Sequence, residues 1–325
     1  MRKNQPVTQS PICVIIAAYN ARETIGRAVR SALDAPEVAE VVVIDDASSD
    51  GSADAARAAD DGTGRLRVLS LPRNMGPAAA RNIALGESSA PIITMLDADD
   101  HVLPGRFATL LAIPGWDAIA DNILFVPESM AANPAILPEQ RGNPVVRTLD
   151  IAAFVDGNVS RPDRPRGELG FIKPLIRRDF LVSHGLHYDE TLRLGEDFIL
   201  YARMLHAGAR FLLSNAVGYC AIERPTSLSG RHRTEDLAAL LAADDALLAE
   251  FTGAGRQALL RHRRQLGVKL LHRQLLDAKR ERGLFAGLAC LARCPRHALD
   301  VARAVWNDKR GANPAPSPAV RYLLD

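Results

Sequence analysis

Ile92, Ile93, Thr94, Met95 and Leu96 form a short, mostly apolar run that ends abruptly in Asp97-Ala98-Asp99-Asp100. A run of this length, with Pro91 in front and acids behind, fits a strand of a parallel sheet covered on both faces. In open α/β sheets ligands bind outside the carboxyl ends of such strands, so the acids should face a crevice. Carboxylates this close repel one another, and burying them is costly unless a cation or hydrogen-bond donors compensate. The i, i+2 pair Asp97 and Asp99 suits a hard divalent ion that also holds phosphate oxygens, although an isolated Asp-x-Asp also fits a solvated turn.

The same pattern recurs upstream. Residues 12–18 are apolar and run into Tyr19-Asn20, residues 41–44 run into Asp45-Asp46, and residues 66–71 read as a further strand. Between them the pattern predicts a helix over about 22–33, with Ile25, Val29 and Ala32 on one face. A second helix reaches about Ala59 after a cap in 47–52, and a third follows the turn Asn74-Met75-Gly76-Pro77. Strands alternating with helices at this spacing mean an α/β fold with a Rossmann-like, mostly parallel sheet. Taken singly, each polar strand end fits a helix cap or a solvated loop; their joint position favours one shared site. The first turn has neither Gly-x-Gly-x-x-Gly nor a phosphate-binding Lys motif, so a bound nucleotide is not held by a glycine-rich loop. A metal is then expected to neutralise its phosphates.

With these motifs the chain resembles the family 2 glycosyltransferases over residues 11–215. The resemblance rests on Ala17-Ala18-Tyr19-Asn20, on Val43 through Ser52, and on Asn74-Met75-Gly76 with Ala80-Arg81-Asn82. Leu96 through Asp100 and Gly195-Glu196-Asp197 complete the family's order. It implies a GT-A fold, with a nucleotide-binding half over 11–112 and an acceptor half over 113–233. It further implies a UDP-sugar donor and a divalent cation, Mn²⁺ or Mg²⁺. Ala18, Tyr19, Asn20, Glu23, Asp45, Asp46, Arg81, Asp97 and Ala98 are the donor-site residues the resemblance implies. Asp46 and Arg81 would hold the uracil, Asp97 would lie at the ribose and metal shell, and Asp99 would bind the ion. Asp197 is the implied catalytic base and Glu196 an acceptor- or sugar-binding neighbour; without the resemblance the pair also reads as ordinary acids in a helix's first turn. The family usually has Gly where Ala47 stands and often Thr where Ser49 stands, both mild departures.

Residues 116–126 alternate and read as a strand leaving the nucleotide half, and 127–166 as a variable excursion near the acceptor. Residues 169–176 read as a return strand beside the sugar pocket, and 184–194 as a loop leading to a helix over 197–207. After a strand over 210–213, the turn-rich segment 223–232 offers Arg224 and His232 as phosphate or metal contacts, or as parts of a plain surface loop. His187 and His206 read as packing or surface residues. From Thr234 the chain is helical, and residues 256–310 hold fourteen Lys/Arg against four Asp/Glu. The scarcity of aromatics there argues against nucleic acid as a partner. An anionic membrane surface and a solvated helical face both fit this basic extension. Residues 1–10 read as a flexible N-terminus and 311–325, with Pro314, Pro316 and Pro318, as a stiff or disordered tail.

A 47% hydrophobic and 24% charged chain has the composition of an ordinary globular protein. Cys13, Cys220, Cys290 and Cys294 lack a paired metal spacing, so a reducing compartment is the default. The polar N-terminus does not read as a secretory signal, and no run approaches a membrane span. The expected location is therefore cytoplasmic, at most peripheral on the cytoplasmic face of the inner membrane. The expected function is inverting, metal-dependent transfer of a hexose from a UDP-sugar to a glycan acceptor. A lipid-linked acceptor in bacterial exopolysaccharide or lipopolysaccharide assembly is the expected setting, and similarity to succinoglycan-type glucosyltransferases makes glucose the first expectation. The alternatives are a transferase loading sugar onto a polyprenyl phosphate and a non-catalytic nucleotide-sugar-binding subunit of a membrane assembly.

Overall fold

The apolar runs of the first hundred residues become the parallel part of one sheet. The computed structural model describes residues 11–131, 144–160, 168–224, 233–283 and 320–324, with isolated positions between 285 and 301. β1 (Ile12–Ala18), β2 (Val38–Asp45), β3 (Leu66–Ser70) and β4 (Ile92–Met95) run parallel in the order β3-β2-β1-β4. Ile12 to Ile16 and Val41 to Ile44 are all buried, as continuous Val/Ile runs covered on both faces should be. The crossovers carry α1 (Ile25–Leu33), α2 (Ser52–Arg57) and α3 (Pro77–Glu87). Because β2 and β4 flank β1 on opposite sides, the strand order reverses there and a crevice opens at the carboxyl ends.

α1 begins later than its hydrophobic pattern suggests. The Ala21 amide donates to Ser52 Oγ at 2.7 Å and the Arg22 amide to Asp50 at 3.0 Å, so the loop after β2 satisfies donors that a helix start leaves without an intrahelical acceptor and ties 21–22 to itself. In that loop Ala47 sits at φ +61°, in the left-handed region that favours glycine. A side chain there costs about 1–2 kcal/mol, against about 0.4–1 kcal/mol of extra chain entropy for glycine. Ala47→Gly is therefore expected to stabilise the protein by roughly 0.5–1 kcal/mol in a denaturant titration. An unchanged or lower midpoint would contradict this.

The second half adds β5 (His101–Val102), α4 (Arg106–Leu111), β6 (Ala118–Pro127), β7 (Val146–Thr148) and α5 (Ile151–Asp156). β8 (Leu175–Arg177), α6 (Arg178–Ser183), α7 (Glu196–His206) and β9 (Phe211–Glu223) follow. The sheet continues β4-β8-β6-β9-β5, with β8 antiparallel to both neighbours. The return strand is shorter than its apolar stretch implied: a 3₁₀ turn occupies Leu169–Phe171, and pairing begins only after Pro174, which has no N–H for a ladder. β9 is longer than expected, because its pairing with β6 shifts register around Asn122 and carries on past the polar residues Ser214 and Asn215.

Under this half Arg106 and Asp121 form a fully buried, bidentate pair, with Arg106 Nε 3.0 Å from Asp121 Oδ2 and Nη2 2.9 Å from Oδ1. Arg106 Nη2 also donates to the Lys173 carbonyl. α8 (Thr234–Glu250) and α9 (Gly253–Arg282) pack on each other and against α7 and α5. Part of the expected tail is ordered: β10 (Arg321–Tyr322) pairs antiparallel with β6, and Leu323 is buried.

Candidate active site

Three strand ends deliver their polar residues to one crevice. Ala18, the last residue of β1, is buried, and Tyr19 after it is 50% exposed. The Asn20 amide donates to Ser48 Oγ at 2.9 Å, and Asn20 Oδ1 accepts from the Ser49 amide at 3.0 Å. At the end of β2, buried Asp45 accepts from the Ser48 amide at 3.3 Å. Asp46 accepts from the Met75 and Gly76 amides at 2.6 and 2.8 Å, which lays the turn before α3 across its carboxylate. Glu23 is exposed in the turn before α1.

α3 carries Arg81 into the interior. Its Nη1 lies 2.5 Å from Glu196 Oε1 and 3.2 Å from Asp197 Oδ1, its Nη2 lies 3.4 Å from Asp97 Oδ1, and its guanidinium sits over the Tyr188 ring. Glu196 and Asp197 open α7, which is entered through Gly195 at φ +75°; a side chain there would also strike Leu240. Facing Arg81 across these acids is Lys173, whose Nζ lies 3.1 Å from Asp97 Oδ2 and 2.9 Å from Asp197 Oδ2. Asp97 at the end of β4 and Asp197 on α7 thus share two cations. Burial works to raise the Asp197 carboxyl, but the Arg81 guanidinium and Lys173 ammonium prevail and hold it below the usual carboxylate range. The charge of Lys173 is opposed by burial and restored by Asp197 and Asp97, which leave it more basic than an ordinary lysine.

The other acids of the β4 end divide by environment. Asp100 is structural: it accepts from Tyr219 Oη at 2.8 Å and from the Ile222 amide at 2.9 Å, and burial followed by the charges of Asp99 and Asp97 pushes its carboxyl well up. Asp99 has its carbonyl held by Arg27 Nη2 at 2.7 Å. Burial and the neighbouring Asp97 raise its carboxyl, and among the described residues its carboxylate makes no ion pair. Arg224 lies 3.1 Å from Glu128 and contributes a favourable charge at Asp99. His232 lies outside the described residues.

Of the residues expected in the site, the structure brings Arg81, Asp97, Glu196 and Asp197 into direct contact. It keeps Tyr19, Asn20, Asp45 and Asp46 on the adjoining strand ends. Arg81 and Asp46, expected together on one base, have different partners here: Arg81 the acid cluster, Asp46 the turn amides. Lys173 and Tyr188 join the cluster, though neither was among the expected site residues. The signal for Lys173 was a lone ion inside Phe171-Ile172-Lys173-Pro174-Leu175, an otherwise apolar stretch. Among the described residues no group of three or more His, Cys, Asp and Glu is arranged to hold a metal unaided. Asp97 and Asp99 offer hard oxygen ligands, and an excess of acids over cations remains at Asp99, so they fit a divalent ion whose other ligands come from phosphate and water.

Comparison with known proteins bears on the family and the fold. The sequence profile described as glycosyl transferase family 2 matches residues 13–118. The succinoglycan biosynthesis protein ExoU of Rhizobium meliloti is 48% identical, over 97% of this chain and 95% of that protein. S. aureus TarS 1–349 in complex with UDP-GlcNAc superposes with a TM-score of 0.60 at 16% identity, covering 95% of both chains. The mannosyltransferase PcManGT from Pyrobaculum calidifontis, in complex with GDP-Man and Mn²⁺, superposes with a TM-score of 0.54 at 18% identity, covering 94% of this chain and 81% of its own. At such identities the structural likeness shows the fold alone, which is GT-A.

Proposed function

The chain belongs to glycosyl transferase family 2, and from that premise we propose that it transfers a hexose, glucose first, from a UDP-sugar to a lipid-linked glycan, with inversion and with a divalent cation. The setting proposed is assembly of a succinoglycan-type exopolysaccharide, supported by the ExoU relative. The UDP-GlcNAc complex of TarS supports a uridine donor, and the Mn²⁺ complex of PcManGT supports the cation. The observation that carries the reading is the ion-pair ring joining Asp97 at a strand end to Asp197 at the start of α7.

In this reading Ala18, Tyr19, Asn20, Asp45 and Asp46 border the nucleoside, and Glu196 orients the sugar or the acceptor. Asp197, kept ionised by Arg81 and Lys173, takes the proton of an acceptor hydroxyl while that oxygen bonds to the anomeric carbon. The bond from that carbon to the diphosphate oxygen breaks, and UDP leaves with the electron pair. Attack opposite the leaving group turns an α-linked donor into a β-linked product. Asp97 and Asp99 would hold the cation, which supplies positive charge against the departing diphosphate.

Four arginines of the basic extension have acidic partners within the chain. Arg261, Arg263, Arg264 and Arg273 pair with Asp156, Asp245, Asp300 and Asp277. No helix among the described residues is long and apolar enough to cross a membrane.

The test is UDP release from a panel of sugar nucleotides, with Mn²⁺ or Mg²⁺ and with chelator. Metal-dependent release from one donor is expected; silence together with metal-independent UDP binding contradicts the reading. Asp99→Ala is expected to abolish the difference in calorimetric UDP affinity between metal and chelator, and a difference of native size would remove Asp99 from the cation.

A further inference from the structure

Lys173 is costly to bury, since a flexible, strongly hydrated ammonium loses both water and rotamer freedom. Its main chain is held independently of its charge. The Lys173 carbonyl accepts from Arg106 Nη2 and from Thr94 Oγ1, the latter at 3.5 Å, and Arg106 is itself fixed by buried Asp121. Pro174 restricts Lys173 to an extended backbone. From this anchored base the ammonium reaches Oδ2 of both Asp97 and Asp197, while Arg81 takes Oδ1 of both. Each of these carboxylate oxygens therefore has its own cation, which fixes the plane of each carboxylate. Arg81 holds one oxygen of each group and the Tyr188 hydroxyl lies against Asp197, but Lys173 ties the second oxygens of the two acids to one ammonium. A base must present a lone pair to its proton within hydrogen-bond reach, and a misplacement of about 1 Å costs about 10²-fold in rate.

We propose that Lys173 is a positioning residue for the transfer step, locking the Asp197 carboxylate against Asp97 so that its remaining lone pairs face the acceptor hydroxyl. The inference rests on Asp197 being the base. It makes the reach of the ammonium to two acids a property distinct from its charge, which Lys173 shares with Arg81.

The experiment uses the full chain with Mg²⁺ and UDP-glucose, or the donor the panel selects, with water as acceptor. Lys173→Met is expected to lower kcat about 10²-fold, a larger change than in KM or calorimetric UDP affinity, which it reaches only through Asp97. Lys173→Arg, which keeps the charge but displaces it, is expected to lose about tenfold in kcat, and it carries the test if the Met variant does not fold. The double variant Lys173→Met with Asp197→Asn should be no slower than Asp197→Asn alone, because a residue acting through Asp197 has nothing left to position. A kcat within about threefold of native in either single variant overturns the inference, as does an additive loss in the double variant. Native turnover in Asp197→Asn would instead overturn the assignment of the base, so the two failures are distinct.

Discussion

Asp197→Asn is expected to lower turnover about 10²–10⁴-fold while leaving donor affinity close to native. Asparagine keeps the volume and one acceptor oxygen, which can meet Arg81 where Asp197 Oδ1 does at 3.2 Å; its NH2 then replaces the Oδ2 acceptor of Lys173, which retains Asp97 as its partner. What it loses is the ability to take a proton. The charge balance also tolerates the change: Asp97 and Glu196 remain to match Arg81 and Lys173, so neither cation is stranded. The loss should therefore fall on kcat, with the UDP affinity measured by calorimetry serving as the control for folding. Turnover within about tenfold of native would exclude Asp197 as the base.

Arg106→Leu is expected to be the most destabilising of the simple substitutions. Arg106 and Asp121 are 3% and 2% exposed, so removing the guanidinium leaves a carboxylate with neither water nor counter-ion. Breaking a buried pair from one side costs about 3–5 kcal/mol, and the midpoint of a urea titration should fall accordingly. Replacing both partners, Arg106→Leu with Asp121→Leu, should recover part of the loss, since a buried apolar pair has no desolvation debt. A single-variant loss below about 1 kcal/mol would mean that water reaches Asp121.

The first four strands were legible because each is a continuous apolar run closed by an acid or a turn, which is what a parallel strand covered on both faces requires. The acids they end in were legible for the same reason, since strand ends and the site coincide in this architecture. Long-range pairing was not legible. β10 is two residues whose place depends on β6, about two hundred positions earlier, and the continuation of β9 depends on a register shift in its partner. Local pattern carries no record of either. Nor could the sequence tell that Lys173 would meet Asp97 and Asp197, because its carbonyl is set by Arg106 and its ammonium by two elements remote in the chain. The onset of α1 was not legible for a related reason: Ser52 and Asp50, from another loop, bind the amides of Ala21 and Arg22 ahead of it.

If the cluster of Arg81, Lys173, Asp97, Glu196 and Asp197 runs an inverting sugar transfer, the anomeric configuration of the product shows it most directly. Proton NMR of the reaction with Mg²⁺ and the α-linked UDP-sugar that the donor panel selects should show a β-configured sugar forming first, before any mutarotation, in step with UDP. An α-configured first product would contradict single displacement with Asp197 as the base.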